Sequence, residues 1–235
     1  MQALYVTQYY NILTFIPQQL LAQFSAKSCF DHYKSGNKIN DIYQIYPDGH
    51  GNFAVMCDMY GGGWTVFQHR YDGSVDFYLG WTEYKEGFGN LSGEFWLGLE
   101  KLHRITTSGR YKLRIDLEDF EGSERFAEYG SFEVGNEQDG FRLSIGAFSG
   151  DAGDSLTPHN GTQFTTKDVD HDLHENNCAQ LYKGAWWYNN CHVSNLNGLY
   201  HYGGNHTSYA DGINWSQWKG YHYSMKTVTM KIKEI

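Results

Sequence analysis

Between residues 110 and 118 the chain alternates: Tyr111, Leu113, Ile115 and Leu117 share one parity, while Arg114, Asp116 and Glu118 share the other. Successive side chains of a strand point to opposite faces, so this parity predicts a half-buried β-strand. Val228, Met230 and Ile232 repeat the pattern near the C-terminus, and Phe141, Leu143 and Ile145 repeat it in the middle. The three segments are expected as neighbours in one twisted antiparallel sheet. Helical spacing is confined to 80–88 and 94–103, the second with Phe95, Leu97, Leu99 and Leu102 on an inner face. From Ser149 to Tyr223 periodicity disappears among Gly, Asn, Asp, His and aromatic residues. Loops longer than about 15 residues are uncommon in compact domains unless they carry function, so the sites are expected there.

Composition narrows the class. The 235 residues include 19 Tyr, 14 Phe, 7 Trp and 27 Gly but only 3 Pro, which fits a loop-rich α+β domain with an aromatic interior. A boundary is expected near Ala26 to Lys27. Residues 1–26 then form an N-terminal segment, either a signal peptide or a stalk remnant, and 27–235 form one continuous domain. Pro17, Gln18 and Gln19 interrupt the apolar residues of that segment, so it lacks the roughly 18 apolar residues of a membrane span and no membrane insertion is expected. A net charge of −9 without basic runs argues against a nucleic-acid partner. No Gly-X-Ser-X-Gly or His-Glu-X-X-His context surrounds the histidines and serines, so no enzyme is expected.

Four cysteines, Cys29, Cys57, Cys178 and Cys191, permit three pairings, and sequence alone does not choose among them. Their separations favour Cys29 with Cys57 and Cys178 with Cys191, each closing a local loop worth about 3 to 3.6 kcal/mol in chain entropy. Paired cysteines imply an oxidising compartment. Four Asn-X-Ser/Thr sequons, at Asn90, Asn160, Asn205 and Asn214, point the same way, to a secreted extracellular glycoprotein.

Asp168, Asp170 and Asp172 occupy alternate positions ahead of Cys178. Acidic side chains two apart in a loop turn several oxygens toward one point, and calcium takes about six to eight oxygens. An EF-hand is excluded, because counting from Asp168 finds Leu173 where the turn glycine belongs and Ala179 where the closing glutamate belongs. Zinc on His171 and His174 fits less well, since no third ligand accompanies them. Taken alone, the three aspartates read as a solvated acidic turn.

Longer segments change that reading. GGWTVFQHRYDGSVDF at 62–77, EYKEGFGNLSGEFWLGLEKLHRIT at 83–106, CHVSNLNGLY at 191–200 and YSMKTVTMKI at 223–232 resemble the fibrinogen-related domain, in the family's order and over residues 29–235. GAWWYNNCH at 184–192 resembles the ficolins, tachylectins and related acetyl-binding lectins. The resemblance implies a fibrinogen C-terminal-like globular domain of the α+β class, with both cysteine pairs in place. It has a disulfide-stapled N-terminal subregion, a central twisted antiparallel sheet with short helices, and a loop-rich calcium-binding C-terminal subregion. It also implies a Ca2+ loop with side-chain ligands from Asp170 and Asp172 and backbone carbonyls from His174 and Asn176, leaving Asp168 outside the ligand set.

The same resemblance implies a cis peptide between Asn190 and Cys191, with the N–H groups of Cys191 and His192 directed at one carbonyl oxygen. An acetyl methyl group would sit among Tyr182, His192, Tyr209 and Tyr221, with Ala210 leaving room at the wall. The implied function is a secreted, calcium-dependent lectin for acetylated groups, such as N-acetylated glycans, in innate immune pattern recognition. The alternative is a protein-binding fibrinogen-like domain acting as a receptor ligand or in clotting-type peptide recognition. An acetyl group has three heavy atoms, so even about 1.5 kcal/mol per atom gives only near-millimolar affinity, and several copies must act together. No collagen-like tract, heptad run or spare cysteine is present, so any homo-oligomer would have to form through the globular domain itself. An ordinary histidine at 192 would gain its proton below about pH 6 and weaken binding.

Overall fold

The computed structural model describes residues 26–235, so the expected N-terminal segment lies, except for Ala26, outside the described residues. Ser28 opens the first helix, α1 (Cys29–Lys34), by accepting the Asp31 N–H on its Oγ at 3.3 Å, which satisfies an otherwise orphaned first-turn donor. Cys29 is bonded to Cys57 with their Cα atoms 5.5 Å apart. That bridge staples α1 to the hairpin of β1 (Asp41–Ile45) and β2 (Phe53–Asp58).

The chain then runs through β3 (Trp64–Arg70), α2 (Trp81–Glu86), β4 (Phe88–Gly89), β5 (Phe95–Trp96), α3 (Leu99–Thr106), β6 (Tyr111–Glu118), β7 (Glu124–Val134) and β8 (Leu143–Gly150). After β8 come only short pieces: α4 (Cys178–Tyr182), β9 (Ser194–Asn195), β10 (Asn214–Trp215) and α5 (Ser216–Lys219). The last strand, β11 (Thr227–Glu234), returns to the main sheet. That sheet has nine strands in the order β1-β2-β3-β11-β6-β7-β8, with β5 pairing β3 and β4 pairing β5, while β9 and β10 form a separate ladder. The final strand is therefore central.

β6 keeps the predicted parity, with Tyr111, Leu113, Ile115 and Leu117 buried, and β11 lies beside it with Met230 opposite Ile115. The third predicted strand is not their neighbour, because β7 separates β8 from β6. The inward positions of β7 change parity between Tyr129 and Phe132, which hides this strand from an alternation test. Phe141 is buried but precedes β8 in a left-handed turn at φ 49°.

The predicted helix at 94–103 is also corrected. Phe95 and Trp96 pair with His69 and Gln68 as a strand. Gly98, at φ 110°, delays the helix to Leu99, and a Cβ there would stand 2.6 Å from the Glu86 carbonyl oxygen. From Leu99 the helix buries Leu102 and Ile105 and ends at Thr106.

Two buried charges tie the sheet to the loops. The Glu94 carboxylate accepts the N–H groups of Tyr71, Asp72, Gly73 and Val75 at 2.7 to 3.1 Å. Its neighbour Arg70, which burial pushes down to about 10, donates to the Gly198 carbonyl at 3.0 Å. Beneath the sheet, Trp96, Trp186, Trp187 and Trp215 are fully buried, which makes the aromatic interior that composition predicted.

Of the sequon asparagines, Asn90, Asn160 and Asn205 are exposed. Asn214 is a correction: it is buried in β10, and its Nδ2 donates to the Tyr223 carbonyl at 2.9 Å. A glycan has no access to that nitrogen in the folded domain.

Candidate functional site

The acidic loop is wrapped by its own amides. Asp170 Oδ1 accepts the Asp172 N–H at 3.2 Å, and Asp172 accepts the N–H of His174 at 2.9 Å and of Cys178 at 2.8 Å. Partial burial and the adjacent Asp170 charge raise the Asp172 carboxyl above its ordinary value, as two crowded carboxylates require. A divalent cation would relieve that repulsion, so these donors fit calcium. Asp170 and Asp172 would hold it with carboxylate oxygens, alongside carbonyls of the His174 to Asn176 turn, where the Asn176 N–H donates to His174 Nδ1 at 3.0 Å.

Asp168 does other work. Its Oδ1 accepts the Trp81 N–H at 2.9 Å and the Thr166 hydroxyl at 2.7 Å, fastening the loop to the start of α2. His171 turns away as well, with Nδ1 on the Phe164 carbonyl at 2.9 Å and its ring edge-on to Trp81. His174 lies near Cys178 and Cys191, but both sulfurs are committed to their mutual disulfide.

That disulfide joins the acidic loop to the turn carrying the predicted ligand groups, with Cα atoms 5.6 Å apart. A second tie runs from the Leu173 N–H to the Asn189 carbonyl at 3.0 Å. The Asn190 to Cys191 peptide is cis. Among the described residues, neither the Cys191 nor the His192 amide donates to a protein acceptor.

His192 is the centre of an aromatic cluster. Its ring lies 4.8 Å from Tyr182 and 5.8 Å from Tyr221, both edge-on, and Tyr209 stands 5.4 Å from Tyr221. His192 Nε2 donates to the Ala210 carbonyl at 2.9 Å, and the Tyr221 hydroxyl donates to the His192 carbonyl at 3.2 Å. The Ala210 N–H in turn reaches the Tyr221 carbonyl at 3.0 Å. All seven residues expected to form the ligand site thus fall in one connected cluster. Burial and the neighbouring His159 push His192 down to about 3, which corrects the expectation of a charged ring near pH 6. Burial also raises the Tyr182 hydroxyl, and the nearby Tyr209 and Tyr221 add to the effect.

Three supporting residues gave no signal in the sequence. Tyr188, fully buried, donates to Asn195 Oδ1 at 2.6 Å, and Asn195 Nδ2 donates to the Tyr182 carbonyl at 3.0 Å. His159 takes the amides that follow His192, with the Ser194 N–H at 3.3 Å from its Nε2. No spacing rule links residue 159 to residue 192; only the fold brings them together.

Comparison with known proteins shows the family of the fold. Fibrinogen C domain-containing protein 1 of Xenopus tropicalis is 53% identical over 215 residues, covering 88% of this chain and 47% of the relative. The chain thus spans about half the length of that relative. The fibrinogen-like globe domain of human ANGPTL2 superposes with a TM-score of 0.88 at 46% identity, covering 89% of this chain and 99% of that one. The lamprey fibrin D-dimer, complexed with the peptide ligand Gly-His-Arg-Pro-amide, superposes with a TM-score of 0.86 at 36% identity, covering 99% of this chain and 84% of that one. Residues 25–235 match the family described as the C-terminal globular domain of fibrinogen beta and gamma chains, and the chain belongs to that family.

Proposed function

We propose that this domain is a secreted, calcium-dependent lectin that recognises acetylated groups, such as N-acetylated sugars in innate immune recognition. The observation that carries this reading is the packing of His192 against Tyr182 and Tyr221, with Tyr209 beside Tyr221, next to the Cys191 and His192 amides. Aromatic faces suit a methyl group, and two adjacent N–H donors suit a carbonyl oxygen. The acidic loop supplies no chemistry. A calcium ion held by Asp170 and Asp172 would stiffen the segment that the Cys178–Cys191 bridge and the Leu173 to Asn189 bond connect to the turn. Two disulfides support an oxidising, extracellular setting.

Retention on immobilised N-acetylglucosamine in calcium tests the reading, with release by free acetate-bearing competitor and by chelator. Retention that ignores both would refute it. A second reading, peptide recognition, is favoured by the peptide-bound state of the lamprey fibrin structure. Gly-His-Arg-Pro-amide displacing the domain from the sugar resin at lower concentration than N-acetylglucosamine would favour that reading. One acetyl site is weak, so we further propose that globular domains self-associate to raise avidity.

A further inference from the structure

We propose that His201, His206 and Asp211 form a site for a divalent transition metal of the zinc class, distinct from the acidic loop. His201 Nε2 lies 2.9 Å from Asp211 Oδ1 and His206 Nδ1 lies 3.5 Å from the same oxygen, with all three donor atoms within 4.8 Å of one another. Tetrahedral bonds of about 2.0 to 2.2 Å place ligand atoms about 3.3 to 3.6 Å apart, so small adjustments reach coordination distance. Two imidazoles and a carboxylate select zinc, copper or nickel, whereas the all-oxygen loop at Asp170 and Asp172 selects calcium. The two sites therefore sort cations by donor type.

Burial supplies an independent observation. The His206 side chain is only 4% exposed; its Nδ1, the nitrogen that faces Asp211, meets the Ser208 hydroxyl at 3.1 Å, which a metal would displace, and its Nε2, against Gly212, has no hydrogen-bond partner. The ring has thus already lost most of its water without full compensation, and that cost is borne whether or not a metal is bound. In the described arrangement protons stand where the metal would: Asp211 Oδ1 accepts from the Ser208 hydroxyl at 2.8 Å and from His201 Nε2 at 2.9 Å. A metal would displace the His201 proton and take up the Asp211 charge. The His201 and His206 rings are stacked 4.1 Å apart with planes 9° from parallel, so coordination requires them to diverge. His201, the more exposed of the two at 25%, has room to tilt. Water would complete the shell.

The position of the site gives it a consequence. Tyr209 and Ala210 lie between His206 and Asp211 in the chain, so a bound metal would clamp the segment forming one wall of the aromatic cluster. The existence of the metal site does not depend on what that cluster binds.

Cobalt titration of the full chain in saturating calcium tests the proposal. One Co2+ per chain is expected, with the visible absorption of a four-coordinate ion, and with displacement by Zn2+. His201→Gln, on the more exposed ring, should weaken uptake at least about tenfold while keeping the native circular dichroism, since even outer-shell changes at metal sites cost about 10- to 100-fold. His206→Gln serves as the second variant and should do the same. No uptake at micromolar metal, or equal uptake by wild type and His201→Gln, would show that the cluster is a hydrogen-bond network only. A cobalt signal lost in Asp172→Ala and kept in His201→Gln would overturn the proposal in favour of the acidic loop.

Discussion

His159 Nε2 accepts the Val193 amide proton at 3.1 Å while its Nδ1 donates to the Trp187 carbonyl at 2.7 Å. Only the neutral ring can serve both edges, because a second proton on Nε2 would face amide protons. Burial accordingly pushes His159 down from 6.5 to about 4. Between these values the unfolded chain binds a proton that the folded chain refuses. Stability is therefore full above pH 6.5 and declines as pH falls toward 4, by about 3 kcal/mol at the lower end. Thermal unfolding followed from pH 7.5 to 4.5 should show this slope, and His159→Gln should roughly halve it between 6.5 and 5, because His192, held at about 3, contributes with the same sign. A flat wild-type profile would remove His159 from the account.

The three aspartates of the acidic loop should separate into two roles. Asp170→Ala and Asp172→Ala should each weaken calcium uptake at least about tenfold, and sugar retention should fall with it. Asp168→Ala should leave calcium uptake intact but lower stability by about 1 to 2 kcal/mol, since the Trp81 N–H and Thr166 hydroxyl lose their acceptor. Calorimetric calcium titration beside thermal unfolding distinguishes the outcomes. Loss of calcium binding in Asp168→Ala would reassign the ligands.

Ala210 adopts φ 62°, in the left-handed region, at the wall of the aromatic cluster. Ala210→Gly should be tolerated, because glycine enters that region freely. Ala210→Val should cost about 1 to 3 kcal/mol in backbone strain and should also abolish retention on the sugar resin by filling the wall. Equal retention by the two variants would place the ligand elsewhere.

Glu94 is fully buried and four amides depend on its carboxylate. Glu94→Ala would strand those donors and leave Arg70 without its nearest countercharge, at an expected cost of about 3 to 5 kcal/mol. Denaturant unfolding measures it. A loss under 1 kcal/mol would show that the 71–75 turn stands without this support.

Much of the fold was legible where chemistry is local. The parity of Tyr111 to Leu117 and of Val228 to Ile232 survives because each of these strands buries one face. β7 was not legible, since its inward positions switch parity, and neither was β5, because Phe95 falls in the spacing expected as a helix that Gly98 interrupts. At the site, the resemblance of GAWWYNNCH and the aspartate loop to known lectins pointed to the residues proposed to face a ligand. The residues that hold them in place, His159, Tyr188 and Asn195, could not be read from spacing, because tertiary packing alone sets their partners.

β11 stands between β3 and β6, so among the described residues it is the only seam joining the β1-β2-β3 half of the main sheet to the β6-β7-β8 half. A nascent chain that has not yet supplied residues 227–234 holds two half-sheets with no ladder between them. Pairing Val228 with Arg70 also spans most of the domain's sequence, and such distant closures slow folding. Assembly of this domain is therefore a late, all-at-once event, and an interruption upstream of Thr227 yields an open-edged intermediate prone to aggregation.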